Sequence, residues 1–347
     1  MPLKTRKLAL YAQNRLHPLG SKTANGLIHF RTAEVQVIID ASKAGQVAQD
    51  VLGYGGDIPI VAHVSDALAY EPDTLVVGIA PIGGAFNPDW MPEIKLALEN
   101  DIDVWAGLHE FLSEMDSLQP FQHLIWDARK PPQGLQIAQG TWRQRKSKVL
   151  LTIGSDSNVG KMTTALTLQQ QLKVIGLDSI FVGTGQTGIM ISERGVAVDA
   201  VVADFINGAI EAEVDKVDGQ APLIIVEGQG AITHIGYSGV TLGLIHGVMP
   251  DAFVLAHQPS RVVDDYDQAL PDIHEVVQLH EALMHPFKAA KVLGINLYSK
   301  DMSGKASQQV CQTLYKTSGL PVEDMVRAPK RIVAEAVLRN LFPEQQL

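Results

Sequence analysis

The strongest chemical signal in the sequence is a glycine-bounded loop between an apolar stretch, Val149–Ile153, and a helical pattern. Successive backbone N–H groups in such a loop, backed by a helix N-terminus, form a cradle for a phosphate group. Lys161 adds a positive charge, and Gly160 lets the backbone approach the anion closely. The pattern predicts a phosphate- or cofactor-binding site that consists of Gly154, Ser155, Asp156, Ser157, Asn158, Val159, Gly160, Lys161, Met162, Thr163 and Thr164.

This loop departs from the standard phosphate-loop pattern in two ways. Five residues separate Gly154 from Gly160, where the standard pattern has four. The position after the lysine, which normally carries a hydroxyl that holds magnesium, is Met162. A thioether does not bind a hard cation, and the hydroxyls of Thr163 and Thr164 are shifted along the chain. The sequence therefore supports phosphate binding better than ATP hydrolysis.

The second half of the chain resembles dethiobiotin synthetase, an ATP-dependent enzyme of the P-loop class. The loop shares that enzyme's Gly-x-Asp-x-x-Val-Gly-Lys form. Gln186-Thr187-Gly188 looks like its substrate segment, and Glu227 looks like the strand-end glutamate that assists magnesium. The resemblance implies a lysine three residues before Gln186, but this position is Gly183. The resemblance thus implies the fold more strongly than the ligase reaction.

A closer resemblance covers essentially the whole chain. It rests on the Lys161–Thr164 segment together with Gly183–Gly188, Glu227–Gly230 and His257–Arg261. The chain looks like a member of a P-loop family long labelled as a domain of unknown function, whose characterised members are D-glutamate N-acetyltransferases that use acetyl-CoA. The resemblance implies a Rossmann-like N-terminal half, acetyl-CoA as co-substrate and an amino-acid acceptor such as D-glutamate.

Acetyl transfer from a thioester to an amine sets three requirements. The ammonium must lose a proton, the thioester oxygen needs hydrogen-bond donors, and the phosphates of CoA need a positive seat. A phosphate loop without a magnesium hydroxyl suits the third requirement. Glu227 and His257 follow predicted strands, at the sheet edge where α/β proteins bind ligands, and together with His234 they are the candidate catalytic bases.

Other side chains suit an acceptor with two carboxylates and an amine. Arginine binds a carboxylate through two hydrogen bonds and keeps its charge, and Arg261 lies near His257. Arg194 lies on a predicted loop, where it either binds a substrate carboxylate or only pairs with Glu193. Asp204 can orient an ammonium or a base. Asn296 ends a predicted strand, at a position from which similar P-loop proteins contact an adenine. We predict that the substrate-binding residues are Gln186, Thr187, Gly188, Arg194, Asp204 and Arg261.

Two other functions remain open from the sequence. One is an ATP- and magnesium-dependent ligase or kinase of the dethiobiotin-synthetase type, with Glu227 on the metal. Met162 argues against it, although Thr163 could supply the missing hydroxyl. The other is a nucleotide- or CoA-binding protein without turnover. We predict no resident metal site, because His280 and His285 are five residues apart and diverge around a helix.

Apolar runs alternate with helical patterns along most of the chain, which is typical of parallel α/β architecture. We predict a Rossmann-like domain over residues 1–145 and a P-loop NTPase-like parallel-sheet domain over 146–347. Residues 119–148 form the predicted connection, with a strand near Leu135–Ala138. The loop at 80–84 follows a predicted strand and is interpreted as a turn. The other predicted strands are Leu8–Tyr11, Val35–Ile39, Ile58–Val61, Thr74–Ile79, Val104–Ala106, Val149–Ile153, Ser179–Val182, Leu223–Val226, Ala252–Ala256 and Val292–Asn296.

Composition sets the remaining limits. The 347 residues are 46% hydrophobic and 19% charged, which is enough apolar material for two cores and excludes a disordered chain. A net charge of −10 without a long basic run argues against nucleic-acid binding. The single cysteine excludes an internal disulfide, and no apolar stretch is long enough to span a membrane. We expect a cytoplasmic, homo-oligomeric protein with a small-molecule substrate.

Overall fold

The structure is a computed structural model that describes residues 5–18, 20–79 and 86–344. The loop at 80–84 lies outside these residues. Within the described ranges, no helix has both the length and the apolar character that crossing a membrane requires. In the same part of the chain, no group of three or more His, Cys, Asp or Glu side chains is arranged to hold a metal ion.

The chain forms two compact units, and neither is continuous in sequence. The first unit consists of Met1–Pro131 and Gln186–Glu193. The second consists of Pro132–Gly185 and Arg194–Leu347. The units thus divide after residue 131, whereas the predicted domain boundary lies after residue 145. The segment Gln186–Glu193, which belongs to the first unit, falls within the predicted second domain.

A six-stranded parallel sheet forms the centre of the first unit, with the strand order β3-β2-β1-β4-β5-β6. The order runs outward from β1 in both directions, which is the Rossmann arrangement that the sequence analysis predicts. The strands and helices up to β6 are β1 (Leu8–Tyr11), α1 (Lys22–Phe30), β2 (Val35–Ile39), α2 (Ala48–Leu52), β3 (Ile60–Val61), α3 (Val64–Ala67), β4 (Thr74–Val77), α4 (Met91–Glu99), β5 (Asp103–Ala106) and β6 (Ile125–Asp127).

Strand burial explains which predictions succeed in this unit. Leu8–Tyr11 and Val35–Ile39 form strands with the predicted bounds, because each is an apolar run buried in the sheet. The strand Ile125–Asp127 is not predicted from the sequence. It has only three residues, which is too short to show a periodicity, and it lies within the predicted connection.

The second unit also has a six-stranded parallel sheet, with the order β12-β11-β10-β7-β9-β8. The fold class is therefore α/β with two parallel sheets, as predicted. The remaining elements, of which α6 belongs to the first unit, are β7 (Lys148–Gly154), α5 (Lys161–Val174), β8 (Ser179–Val182), α6 (Gln186–Ser192), α7 (Ile206–Asp215), β9 (Leu223–Val226), α8 (Ser238–Val248), β10 (Ala252–His257), α9 (Ile273–Met284), β11 (Lys291–Leu297), α10 (Gly304–Ser318), β12 (Val322–Glu323) and α11 (Ile332–Leu341).

The predicted strand at Leu135–Ala138 is wrong, because this segment has no regular secondary structure. It lies against α7, where a Cβ on Gly208 would be 1.9 Å from the backbone oxygen of Gln136. Just beyond it, the backbone N–H of Thr141 donates to the Glu211 carboxylate on α7 at 3.0 Å. The backbone that follows the segment therefore bonds to a side chain of α7 and not to a neighbouring strand.

The strand order of the second sheet fixes where its functional loops meet. β7 lies between β10 and β9, so the chain winds away from β7 in two directions. All neighbouring strands are parallel, and the segments that follow β7, β9 and β10 leave the sheet at the same edge. Ligands of open α/β sheets bind in the crevice at such a switch point.

Candidate functional site

The loop between β7 and α5 has five consecutive backbone N–H groups, those of residues 156–160, that donate to no acceptor among the described residues. Folded proteins rarely leave such groups unpaired, so the loop is built to take a ligand acceptor. Asn158 and Gly160 turn the loop with positive φ values of 54° and 89°. The helix N-terminus behind them adds a partial positive charge.

Lys161 places its charge inside this loop. Its side chain is buried, and Nζ donates to the backbone oxygen of Asp156 at 2.8 Å. A Cβ at Gly154 would lie 2.8 Å from the same Nζ and 2.7 Å from the oxygen, so only glycine fits there. The loop is thus a compact anion cradle with a cation at its base.

The residues after Lys161 differ in what their side chains do. Met162 is half-buried and carries no oxygen. Thr164 Oγ1 donates to the Gly160 oxygen at 2.9 Å and accepts from Asn296 Nδ2 at 2.7 Å. The Asn296 Oδ1 atom accepts from the Met325 N–H at 2.9 Å. Asn296 therefore ties β11 to α5 through Nδ2 and to the segment after β12 through Oδ1, and its contact with an adenine stays a prediction.

His257, the last residue of β10, lies directly beside the loop. Its Nδ1 atom is 2.9 Å from Ser155 Oγ, and Ser155 also donates its backbone N–H to Ala256 at 3.0 Å. Burial lowers the pKa of His257 from 6.5 to about 4. The imidazole is therefore neutral at neutral pH, when it can accept a proton or donate one hydrogen bond.

Glu227 follows β9 and is 6% exposed. Its Oε2 atom accepts from the backbone N–H groups of Thr184 and Gly185, at 2.9 and 3.3 Å, which fixes the direction of the carboxylate. A Cβ at Gly228 would lie 3.0 Å from Lys161 Cδ, so the turn after β9 packs beside the lysine stem. Glu227 and His257 thus flank the cradle from β9 and β10, the strands on either side of β7.

Arg261 binds carboxylates of the chain itself. Its guanidinium contacts Asp156 through Nε and donates from Nη2 to Asp265 Oδ1 at 2.6 Å. Asp265 Oδ2 in turn accepts from Ser157 Oγ at 3.4 Å. Two of these residues belong to the loop, so Arg261 fastens the loop to the segment that follows β10. A substrate carboxylate would have to compete with both aspartates for the predicted contact with Arg261.

The third predicted base, His234, lies at the far side of this group. It is 1% exposed, and its Nδ1 accepts from the Gly236 N–H at 3.2 Å. Its Nε2 makes no hydrogen bond with a described residue and lies 3.8 Å from Asp265 Oδ2. The ring stacks on Tyr237 at 4.6 Å. His234 therefore lies beside Asp265, one residue removed from the cradle, and its role as a base stays a prediction.

Three predicted substrate residues, Gln186-Thr187-Gly188, form the first turn of α6 and belong to the first unit. Gln186 Oε1 accepts from Arg129 Nη1 at 3.2 Å. Thr187 Oγ1 lies 2.9 Å from Thr23 Oγ1 on α1. These contacts pack the first turn of α6 within the first unit, and the role of this segment in substrate binding stays a prediction.

The other two predicted substrate residues lie elsewhere in the second unit. Arg194 is half-buried, and its backbone oxygen accepts from the Gly183 N–H at 3.1 Å. Asp204 is exposed on a short 3₁₀ turn and makes no hydrogen bond or ion pair with a described residue. Both assignments stay predictions.

The sequence analysis misses two residues that contact the site. Asp265 binds Arg261, and its position four residues after that arginine was a readable signal. Tyr298 follows β11, and its ring would lie 3.2 Å from a Cβ on Gly160, with Lys300 Nζ 5.0 Å from the ring centroid. No local pattern marks this tyrosine, because its contact with the loop depends on the sheet order.

Comparisons with known proteins agree with this architecture. Residues 136–333 match a family model described as the P-loop domain of DUF1611, a domain of unknown function. Residues 41–131 match the Rossmann-like N-terminal domain of the same family. A crystal structure of a DUF1611 family protein from Anabaena variabilis superposes with a TM-score of 0.89 at 34% identity, and the match covers 96% of this chain and 100% of that chain.

Two curated relatives carry a functional name. A D-glutamate N-acetyltransferase from a Pseudoalteromonas species is 35% identical over 287 residues, which cover 80% of this chain and 84% of the relative. A D-glutamate N-acetyltransferase from Tritonibacter scottomollicae is 35% identical over 274 residues, which cover 76% of this chain and 80% of the relative.

Proposed function

The chain belongs to the DUF1611 family, and on this basis we propose that it is an N-acetyltransferase that transfers the acetyl group of acetyl-CoA to the amine of D-glutamate. The names of the two relatives support the reaction. The observation in this chain that carries the proposal is the loop at 156–160. Its five N–H groups have no acceptor among the described residues, and Lys161 Nζ donates to the loop oxygen of Asp156. Such a cradle fits a phosphate group of CoA.

The position after the lysine favours CoA over magnesium-dependent phosphate chemistry. Met162 offers no oxygen, and the hydroxyl of Thr164 is occupied by Gly160 and Asn296. A pyrophosphate or 3′-phosphate can occupy the cradle without a metal that promotes hydrolysis. The cradle then supplies binding energy and position, which acyl transfer needs, while the bond that breaks is the thioester.

The length of CoA limits which residues can act as the base. Its pantetheine arm is about as long as four or five residues of extended chain, ~15 Å. His257 is 2.9 Å from Ser155 of the loop. If the loop holds the phosphates and the pantetheine arm is extended, His257 and Glu227 lie at the phosphate end of CoA, far from the acetyl group. His257 then donates a hydrogen bond to a phosphate. Either residue acts as the base only when the arm folds back over the loop.

Kinetics separates these two roles. If His257 binds a phosphate of CoA, the variant His257→Ala should have a higher KM for acetyl-CoA and a nearly unchanged kcat. If His257 is the base, the same variant should have a lower kcat and an altered pH profile. In the base role, the imidazole takes one proton from the ammonium, and the amine attacks the thioester carbon. The C–S bond then breaks as the imidazolium protonates the CoA sulfur, and the nitrogen releases its second proton to solvent.

The reaction itself is tested by free-thiol release from acetyl-CoA with purified protein and D-glutamate. L-glutamate and a reaction without amine serve as controls. We expect turnover of about 1 s⁻¹ or more with D-glutamate, within the ordinary range of enzymes. Absence of thiol release with both enantiomers would overturn the assignment. Product formation that requires MgATP would support the ligase reading, and tight acetyl-CoA binding without turnover would support the non-catalytic one.

A further inference from the structure

A groove in the first unit carries charged and aromatic groups that the proposed function does not use. Its volume is about 330 Å³, at the lower end of the range for small-molecule sites. All of its lining residues belong to the first unit. They are Arg6, Asp103, Trp105, His123, Leu124, Ile125, Trp126 and Glu193.

Two tryptophans from neighbouring strands form the aromatic wall of the groove. Trp105 on β5 pairs in register with Trp126 on β6, so both side chains stand on the same face of the sheet. Their ring centroids are 4.7 Å apart. The Arg6 guanidinium covers Trp105 at 4.6 Å from its ring centroid. Trp126 lies on the edge strand and is half-buried, so it supplies the aromatic surface for a ligand.

The polar residues of the groove carry a surplus of negative charge, with one arginine against two carboxylates. Arg6 Nη1 donates to Asp103 Oδ2 at 2.9 Å, and Arg31 Nη1 donates to Glu193 Oε1 at 3.0 Å. Asp103 Oδ1 and Glu193 Oε2 accept no hydrogen bond from the described residues. Arg31 also pairs with Glu34, so the residues behind the groove add no net charge.

The backbone at Glu193 is a separate observation at this groove. Glu193 directly follows α6 and has a φ of 51°, in the left-handed region. Glycine or asparagine is usual at this position after a helix, because a larger residue is strained there. The chain instead places Glu193 at this point, and the turn sets the direction from which its carboxylate reaches the groove.

We propose that this groove binds a small organic cation, an ammonium or guanidinium group on a short apolar body. The cation donates hydrogen bonds to the second oxygens of Asp103 and Glu193, and its apolar body lies against Trp126. Arg6 pairs with Asp103, and its Nε also lies 3.7 Å from Glu193 Oε1, so its charge is offset, whereas an anionic ligand would face the surplus carboxylate. This site is independent of the proposed acetyl transfer, because none of its residues takes part in that reaction.

Three probes of similar size and different charge test the proposal on the full-length protein. Saturation-transfer NMR measures the binding of n-butylammonium, n-butanol and n-butyrate at constant ionic strength. We expect saturable binding of n-butylammonium in about the millimolar range, as is usual for so small a ligand, and at least about tenfold weaker binding of the other two. Equal or tighter binding of n-butyrate, or no saturable binding of n-butylammonium, would overturn the proposal.

Matched variants locate the site. Asp103→Asn should weaken n-butylammonium binding at least about tenfold, because it removes a charged acceptor. Asp101→Asn, at an exposed turn position just before β5, should leave the affinity unchanged. Trp126→Leu keeps the charges of the groove and removes the aromatic surface, so it should also weaken the binding of n-butylammonium. Thermal unfolding checks that the variants are folded. Equal affinities of n-butylammonium for the wild type and both groove variants would overturn the assignment. The zwitterion norleucine serves as a fourth probe, and tighter binding of norleucine than of n-butylammonium would also overturn it.

Discussion

Each unit has a loop that joins the central strand of its sheet to the next helix, and the two loops satisfy their backbone differently. In the first unit, the buried carboxylate of Asp40, at the end of β2, accepts from the N–H groups of Arg15 and Leu16 at 3.2 and 2.9 Å. In the second unit, the neighbouring strand ends in His257, and the N–H groups of residues 156–160 have no acceptor among the described residues.

A loop after the central strand of a parallel sheet is therefore not by itself an anion site. The first loop already holds a carboxylate of the chain, which occupies the N–H groups that a phosphate would need. The second loop also contains a carboxylate, Asp156, but Arg261 binds it. Of the two loops, as far as their residues are described, only the second therefore keeps its N–H groups open to an anion, and there Arg261 holds the loop's own acid.

Removing the cation of the cradle should have the largest effect. Lys161→Ala deletes a charge-assisted contact to the bound anion, so we expect kcat/KM for acetyl-CoA to fall about a hundredfold. Lys173→Ala removes an exposed lysine at the other end of the same helix and should change little. A loss far smaller than tenfold in Lys161→Ala, with the fold intact, would show that the cradle does not hold CoA.

Acid should destabilise the second unit through its buried histidines. The pKa of His257 falls from 6.5 to about 4 on folding, because burial disfavours the charged ring. Below about pH 6.5 the unfolded chain binds a proton that the folded chain refuses until about pH 4, so stability declines as the pH falls through this window. We expect His257 to account for about 2 kcal/mol of the stability lost between pH 7 and pH 5.

Urea unfolding of the wild type and His257→Gln at both pH values measures this contribution. His280 is the internal control, since burial also lowers its pKa to about 4, but its Nδ1 contacts the Val276 oxygen of its own helix. His280→Gln should remove a similar part of the acid sensitivity without changing the KM for acetyl-CoA. An unchanged pH dependence in His257→Gln would contradict the burial argument.

Freeing the acid of the second loop should make it resemble the first loop. Arg261→Gln leaves the Asp156 carboxylate, which is fully buried, without its cationic partner. The carboxylate then repels an incoming phosphate or binds the loop N–H groups itself, and we expect the KM for acetyl-CoA to rise about tenfold. Arg261→Lys should recover part of the affinity. If Arg261 instead binds the acceptor's carboxylate, the KM for D-glutamate rises while that for acetyl-CoA stays constant.

The matching change in the first loop should affect stability alone. Asp40→Asn removes the charge that the N–H groups of Arg15 and Leu16 contact, and we expect it to lower the free energy of unfolding by about 1 kcal/mol. Chemical denaturation measures the change. The KM for acetyl-CoA should not move, and an increase in that KM would mean that the first loop also contributes to cofactor binding.

Sequence patterns predict what is local in this molecule. Ser179–Val182 and Leu223–Val226 form strands with the predicted bounds, because each is an apolar run that needs no knowledge of its neighbours. The loop is likewise contiguous in sequence and lies between the predicted strand and helix. By contrast, the contact of Ser155 with His257 joins residues 102 positions apart, so only the strand order of the sheet reveals it.

Residues assigned by resemblance show the same limit. Gln186–Gly188 matches a substrate segment by its letters, and only the structure shows that it forms the first turn of α6, so its contact with substrate stays a prediction. Asn296 occupies the predicted strand end, but its amide is used to brace Thr164 and Met325. Residue type and position along the chain do not reveal whether a polar atom is already bonded, and that depends on side chains from distant elements.

The smallest expected effect concerns the residue that separates this cradle from a magnesium-dependent one. Met162→Ser restores a hydroxyl at the position where a phosphate loop normally holds magnesium. The backbone N–H groups and Lys161 are unchanged, so the KM for acetyl-CoA should change less than about threefold. Calorimetry should detect MgATP binding in Met162→Ser that exceeds binding by the wild type. If the wild type already binds MgATP as tightly as the variant, then Thr163 supplies the hydroxyl, and the two loops differ by a metal site as well as by an anion cradle.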